Sequence, residues 1–371
     1  MHHGSIKLCE DFCLPLTIQT QTSAILGLRG SGKTNTGVVI TEDLLQARGS
    51  VVIIDPLDVW WGLRFHHKGN TPGYPVVIAG GSHGDIPIRD VDGAALANFA
   101  VEYPGAPLIL SLRHMRKAGQ KRFVKDFAEQ LYFRKGEAAH RTPLMVVIDE
   151  ADTFVPQRVM GPDAQVVGAI EDLVRRGRSA GLGVLLISQR AASVNKDVLT
   201  QIELLIAHRH TSPQDREALE KWIEAHDTED RQREFMSTLA SLKLGEAWVW
   251  SPGLDVFRKV QIRERHTFDS SSTPKGNTAA VPHCNSLVNL NDIRAKLAVT
   301  IENAEQNDPV RLRERIKELE QLVRAKTPVT TVTATPQFDF RRVKELVADI
   351  EKVFDRFRVS VSNVLTKVAE D

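Results

Sequence analysis

The chain has 371 residues, 42% hydrophobic and 26% charged, with a net charge of +1. That allows one large domain or two ordinary ones with a sizeable core, but no global basic field, so a nucleic-acid partner would have to be met by a local patch or by a ring of copies. Three cysteines, Cys9, Cys13 and Cys284, are too few for a disulfide framework and fit a reducing, cytoplasmic setting, and no run reaches the ~20 apolar residues of a membrane span.

The opening Met1-His2-His3-Gly4-Ser5 has no apolar stretch behind a basic start, so it is no signal peptide. It reads as a tag remnant outside the fold. Cys9 and Cys13 together with His283-Cys284 match no usual zinc spacing and read as thiols near the first strand and in a linker. Short apolar runs follow at 23–28, 51–55, 75–78, 108–112, 144–149, 183–188 and 204–208. They are continuous in Val, Ile and Leu rather than alternating, the mark of strands covered on both faces. Helical segments fall between them at 35–48, 93–102, 122–135 and 163–179. Strand and helix in alternation predict an α/β fold with a mostly parallel sheet between helices. Residues 247–250 and 257–263 alternate better. A turn-rich link, Ser251-Pro252-Gly253-Leu254-Asp255, joins them into a predicted antiparallel hairpin at the sheet edge.

Composition shifts near residue 268. The expected organisation is a domain over 1–268, a flexible linker over 269–285 rich in Ser, Thr, Pro and Gly, and a helical region over 286–371. Asp308-Pro309 marks a helix start. Leu312, Ile316, Leu319 and Val323, and later Val343, Leu346, Ile350, Val353 and Phe357, form heptad-like stripes. Each is short enough for an intramolecular hairpin or for a bundle with another subunit or partner.

Gly27-Leu28-Arg29-Gly30-Ser31-Gly32-Lys33-Thr34 satisfies G-x-x-x-x-G-K-[ST] at every fixed position. In such a loop the glycines let backbone N–H groups close round phosphate oxygens. Lys33 would place a cation on the β and γ phosphates and the Thr34 hydroxyl would ligate Mg²⁺. The helix behind, opened by Asn35, would point its positive end at the phosphates. The candidate cradle for ATP is therefore Gly27, Arg29, Gly30, Ser31, Gly32, Lys33, Thr34 and Asn35. Farther on, the apolar run Leu144-Met145-Val146-Val147-Ile148 delivers Asp149 and Glu150 at a strand's C-terminal end, where ligands gather in open α/β sheets. Asp149 is the candidate Mg²⁺ partner, mainly through water, and Glu150 the candidate base for the attacking water. Gln189, at the tip of another apolar run, can reach a γ-phosphate or that water. The basic stretch Arg175-Arg176-Gly177-Arg178-Ser179-Ala180-Gly181 offers guanidinium groups to a neighbouring subunit's site.

Taken together, these blocks resemble the HerA–FtsK superfamily of ring-forming ATPases, and HerA in particular. The carrying residues are Ile25–Thr34, Val52-Ile53-Ile54-Asp55-Pro56, Val147-Ile148-Asp149-Glu150-Ala151, and Arg175–Gly181 running into Leu185-Leu186-Ile187-Ser188-Gln189-Arg190. The likeness covers roughly residues 15–265. It implies a RecA-like core, a homohexameric ring with ATP at subunit interfaces, and translocation on double-stranded DNA. By it Lys33 and Thr34 carry nucleotide, Glu150 is catalytic, Gln189 senses the γ-phosphate, and Arg175 and Arg178 are the finger arginines. The N-terminal β-barrel usual in HerA proteins has no counterpart in the twenty or so residues ahead of the P-loop strand.

For DNA, the best local patch is Arg113-His114-Met115-Arg116-Lys117 with Lys121 and Arg122, read either as a pore loop or as a solvated helix start; Arg263, Arg265 and His266 form a weaker second patch. Trp60 and Trp61 either stack on a nucleotide base or pack against the sheet. Three readings follow: a DNA-translocating ring; a ring that acts as scaffold and switch for a nuclease or other effector docked on the C-terminal helices; and a conjugation or secretion motor.

Overall fold

The computed structural model describes residues 4–161, 163–224 and 228–271, together with Ala295 and Ala298. The expected linker beyond residue 271 and the heptad-like stripes of 286–371 lie outside these residues.

Eleven strands are present among the described residues: β1 Ser5–Cys9, β2 Phe12–Pro15, β3 Thr22–Leu26, β4 Ser50–Asp55, β5 Val77–Gly80, β6 Leu108–Ser111, β7 Leu144–Ile148, β8 Leu182–Ser188, β9 Leu204–Ala207, β10 Glu246–Ser251 and β11 Val256–Gln261. The helices are α1 Lys33–Gln46, α2 Gly93–Glu102, α3 Lys117–Lys135, α4 Asp163–Arg176, α5 Lys196–Leu199, α6 Pro213–Glu224 and α7 Glu229–Thr238. Strands β3 to β11 form one sheet in the order β11-β10-β9-β3-β8-β7-β4-β6-β5. The pairings from β9 through β5 are parallel, while β10 runs antiparallel to both β9 and β11.

Side chains alternate across each strand and so feed two cores. Ala24, Val52, Val146 and Leu186 face α2, α3, α4, α6 and α7. Ile25, Ile53, Val147 and Ile187 face α1 and the β1–β2 hairpin. Both faces are covered, which is why the strands are apolar throughout.

Several expectations shift. The opening residues are not all outside the fold: Ser5 begins β1, whose Ile6 and Leu8 are fully buried under the second core. The strand expected at 75–78 sits at Val77–Gly80, because Tyr74, Pro75 and Val76 form a turn closed by Val76 N–H to Tyr74 O. The helix expected from 122 begins at Lys117, and the one expected through 179 ends at Arg176 in a 3₁₀ turn, Gly177–Ala180. The edge hairpin is β10–β11, as the alternation predicts.

Candidate nucleotide site

The parallel strands β3, β8, β7 and β4 end side by side, and the motif residues project from those ends. Strand β3 runs into residues 27–32, and α1 leaves from Lys33. Gly32 is the residue before α1 and has φ +110°, a conformation side chains avoid. Gly27 has no room for one: an added Cβ would lie 2.6 Å from His208 Cβ and 2.8 Å from Ser31 Oγ. At Gly30 a Cβ would meet nothing within 4 Å, but its φ of +74° is one that side chains rarely adopt. No side chain caps α1, and its first N–H groups have no intrahelical partner. A phosphate fits this cradle. Lys33 is buried, with Nζ donating to Leu28 O at 2.9 Å. Burial pulls its pKa down, against the nearby charges of Glu150, Asp149 and Asp152, which hold it up. Arg29 is exposed at the loop's tip.

The acidic strand β7 does not adjoin β3, because β8 stands between them and carries Gln189 just beyond its end. Asp149 is buried. Its Oδ2 accepts from the Trp60 indole at 2.9 Å and its Oδ1 from the Glu150 N–H at 2.9 Å. Burial pushes its carboxyl above the ordinary range, against those two hydrogen bonds. Glu150 has φ +47°, strained for a residue with a Cβ, and this turn brings its carboxylate to Gln189, whose Nε2 donates to Glu150 Oε1 at 2.6 Å. Burial raises the Glu150 pKa as well, with the Gln189 bond opposing. Thr34 is half-buried at the start of α1, and its hydroxyl with the Asp149 carboxylate is the oxygen donor set expected of a Mg²⁺ partner in such loops.

Three expected site residues lie away from this chain's phosphate loop, and for Asn35 that differs from the expectation. Asn35 is held away from the loop: Nδ2 donates to Arg263 O at 2.8 Å and Oδ1 accepts from Arg265 N at 3.1 Å. It fastens the segment after β11 to α1. Arg175 and Arg178 lie where α4 passes into β8, at the opposite end of the strands from the phosphate loop. Arg178 pairs with Glu203 at 2.5 Å, Arg175 lies 3.9 Å from Asp197, and both are largely exposed. Both therefore stand across the length of the sheet from this chain's own Lys33.

Trp60 is 1% exposed and Trp61 9% exposed, so neither is open to a base. Trp61 stacks on His83 with ring centroids 4.1 Å apart. Of the basic patch, Lys121 and Arg122 sit on α3, paired with Asp163 and Asp90. Arg113, Arg116 and Lys117 are exposed at the same strand ends as the phosphate loop. Arg263 and Arg265 are committed inward, Arg263 to Glu42 and Asp43 at 2.9 and 3.0 Å, so the second patch is a structural clasp.

Two contributors had no role assigned from the sequence. His208, just past β9, donates from Nδ1 to Glu246 O (3.0 Å) and shares a hydrogen bond at Nε2 with Thr36 Oγ1 (2.9 Å), a hydroxyl that also lies 3.2 Å from Gly32 O; burial holds its pKa down at about 4. Asp55, at the tip of β4, accepts the N–H groups of Leu57, Val59 and Trp60 and is pushed up to about 7 by burial and by Asp149. A polar residue ending an apolar run is the one available signal for either, and it does not reveal the partner.

Comparison with known families matches residues 11–152 to the central domain of helicase HerA and residues 136–255 to the helicase HerA-like C-terminal domain. The chain is 31% identical over 120 residues to the DNA double-strand break repair helicase HerA of Pyrococcus furiosus, covering 32% of this chain and 20% of that protein. It is 30% identical over 120 residues to the probable DNA double-strand break repair helicase HerA of Methanocaldococcus jannaschii, covering 32% of this chain and 22% of that one. It thus spans about a fifth of the length of these relatives. Among solved structures, the bacterial conjugative coupling protein TrwBdeltaN70 superposes with a TM-score of 0.50 at 12% identity, over 71% of this chain and 91% of that one, which shows a shared fold. With the phosphate loop, the acidic strand tip and the Gln189 strand in this order, the chain belongs to the HerA-like ATPases of the HerA–FtsK superfamily.

Proposed function

We propose that the chain binds ATP with Mg²⁺ and hydrolyses it to drive movement along double-stranded DNA. The observation that carries the reading is the Glu150–Gln189 hydrogen bond of 2.6 Å at the strand ends where Lys33 is buried. A carboxylate with a raised pKa is a competent base for water, and an amide held against it can register a γ-phosphate. Residues 27–34 wrap the triphosphate, and Lys33 exchanges its bond to Leu28 O for phosphate oxygens. Thr34 and Asp149 would hold the cation, which when bound offsets charge on the phosphoryl oxygens.

The arginines supply the argument for assembly. Arg175 and Arg178 occupy one end of the sheet and the phosphate loop the other, so a head-to-tail contact between copies places one subunit's arginines at the next subunit's ATP. Such a heterologous contact closes into a ring when the rotation allows, and six subunits is the expected number. Arg113, Arg116 and Lys117, multiplied round that ring, would give a basic lining without a high chain charge.

The test is ATP turnover with and without duplex DNA. Wild type should be stimulated by DNA, and the Arg113→Ala/Arg116→Ala/Lys117→Ala protein should keep its basal rate and lose the stimulation. Turnover indifferent to DNA in wild type would remove the translocase reading and leave the ATPase.

A further inference from the structure

Trp60 lies 89 residues from Asp149 in sequence, yet its indole N–H is bonded to Asp149 Oδ2 at 2.9 Å in a fully buried setting. The ring is held from three sides. Its backbone N–H donates to Asp55 Oδ2 at 2.9 Å, and the same oxygen takes the Val59 N–H at 2.8 Å, so the turn after β4 is pinned at its start. On α1, one turn past the phosphate loop, Gly37 makes the space for the ring: an added Cβ would stand 3.1 Å from Trp60 Cη2 and 2.6 Å from Ile187 Cδ1. The indole is therefore wedged between the helix that follows the phosphate loop and the tip of the acidic strand. The other Asp149 oxygen is taken by the Glu150 N–H at 2.9 Å, so both carboxylate oxygens have fixed orientations.

A tryptophan wedged there for packing alone would not need its one polar atom aimed at a carboxylate. A phenylalanine fills a core without a donor to satisfy. Carboxylates that serve metals are commonly oriented by a further hydrogen bond from behind, and loss of such a partner typically costs 10–100-fold in metal affinity or activity. We infer that Trp60 is a positioning residue for Asp149: its indole N–H fixes the carboxylate rotamer and ties it to the helix behind the phosphate loop, so that the acid stands ready for the divalent cation accompanying the nucleotide. This rests on the reading of Asp149 as the cation's partner.

The experiment is a titration of a fluorescent ATP analogue, first in EDTA and then across a Mg²⁺ series, on four proteins: wild type, Trp60→Phe, Asp149→Asn and the double variant. Phenylalanine keeps the ring and removes the donor. The metal-free affinity of Trp60→Phe should match wild type, because the phosphate loop is untouched. Its half-saturating Mg²⁺ should rise about tenfold, and in the Asp149→Asn background the same change should add no further shift. An unchanged Mg²⁺ requirement in Trp60→Phe overturns the inference, as does an equal shift in both backgrounds, which would mark a packing effect. If wild type binds no analogue under any condition, the nucleotide reading itself fails. Should Trp60→Phe not fold, ¹⁵N-tryptophan spectra of the wild-type protein decide. A slowly exchanging indole N–H that moves on Asp149→Asn and on addition of Mg²⁺ with the analogue supports the inference, and one indifferent to both overturns it.

Discussion

His208 offers a direct test of how the phosphate loop is held from beneath. Its ring is bonded to Glu246 O through Nδ1 and to the Thr36 hydroxyl through Nε2, and burial in this setting favours the neutral imidazole. Burial is the largest cause of its low pKa, about 4 against an ordinary 6.5, with Lys33 and His210 adding to it. Below pH 6.5 the unfolded chain takes up a proton at this position that the folded chain refuses, so acid favours unfolding. The cost is nearly absent at pH 7, grows as pH falls from 6.5 and levels off below pH 4. At 1.36 kcal/mol per pH unit the full gap is roughly 3 kcal/mol, of which about 2 kcal/mol has developed by pH 5. Urea unfolding at pH 7 and pH 5, on wild type and His208→Gln, reads it. Glutamine does not titrate, so the variant is the weaker protein at pH 7 through its altered hydrogen bonds, yet should lose about 2 kcal/mol less than wild type between the two pH values. Equal losses in both proteins would refute the neutral, buried imidazole as a source of acid sensitivity.

Lys33→Ala removes the cation from the phosphate loop and should abolish ATP turnover and weaken nucleotide binding at least tenfold by isothermal titration; undiminished turnover removes the central assignment. Gly32→Ala forces a side chain into φ +110° with its Cβ 3.2 Å from Gly245 Cα, and should destabilise by about 1–3 kcal/mol, seen as a lower thermal midpoint. Arg178→Ala should reduce turnover by ~10³-fold or more if it acts as a finger while leaving nucleotide binding near wild type. Mixing Arg178→Ala chains with Glu150→Gln chains should then restore part of the activity, because a mixed contact pairs an intact Glu150 with an intact Arg178. No recovery in rings shown by mass to be mixed counts against a shared site.

The sheet was readable because its strands are buried on both faces. Runs such as Leu144–Ile148 and Leu204–Ala207 have no polar interruption to blur them, and the phosphate loop's glycines sit between one such run and a helix. Other elements lacked that contrast. Helix α7 buries only Phe235 and α6 only Asp215, Leu219, Trp222 and Ile223, so their periodicity is thin. Helix α3 begins in Lys117-Ala118-Gly119, with no side-chain cap to announce it, and what reads as a basic loop is partly its first turns. The hairpin β1–β2 went unseen because its first residue, Ser5, closes a stretch, Met1-His2-His3-Gly4-Ser5, that reads as a tag. At the site, local patterns identify Lys33, Asp149, Glu150 and Gln189 as residues worth attention. The contacts of Trp60 with Asp149 and of His208 with Thr36 depend on which strands become neighbours, and strand order is not written in any local window.

That order also explains why the acid pair needs help from a distance. With β8 interposed between β3 and β7, the phosphate loop and Asp149 are two strand spacings apart, roughly 10 Å across the sheet, and no backbone hydrogen bond joins those two strands directly. The ladders of β8 with both strands fix that separation, and what remains is to aim the acids at a nucleotide held by the loop. Two side-chain systems do this. Gln189 bridges along the strand ends, from the tip of β8 to Glu150. The Trp60 indole bridges beneath, from its seat against Gly37 on α1 to Asp149. The first is half-exposed and can change partner when a phosphate arrives. The second is fully buried, so it holds the carboxylate's orientation. A site built this way separates the part that responds to the nucleotide from the part that keeps its geometry, and the two are addressable by different substitutions: Gln189→Ala should slow turnover with Mg²⁺ dependence intact, whereas Trp60→Phe should shift the Mg²⁺ dependence first.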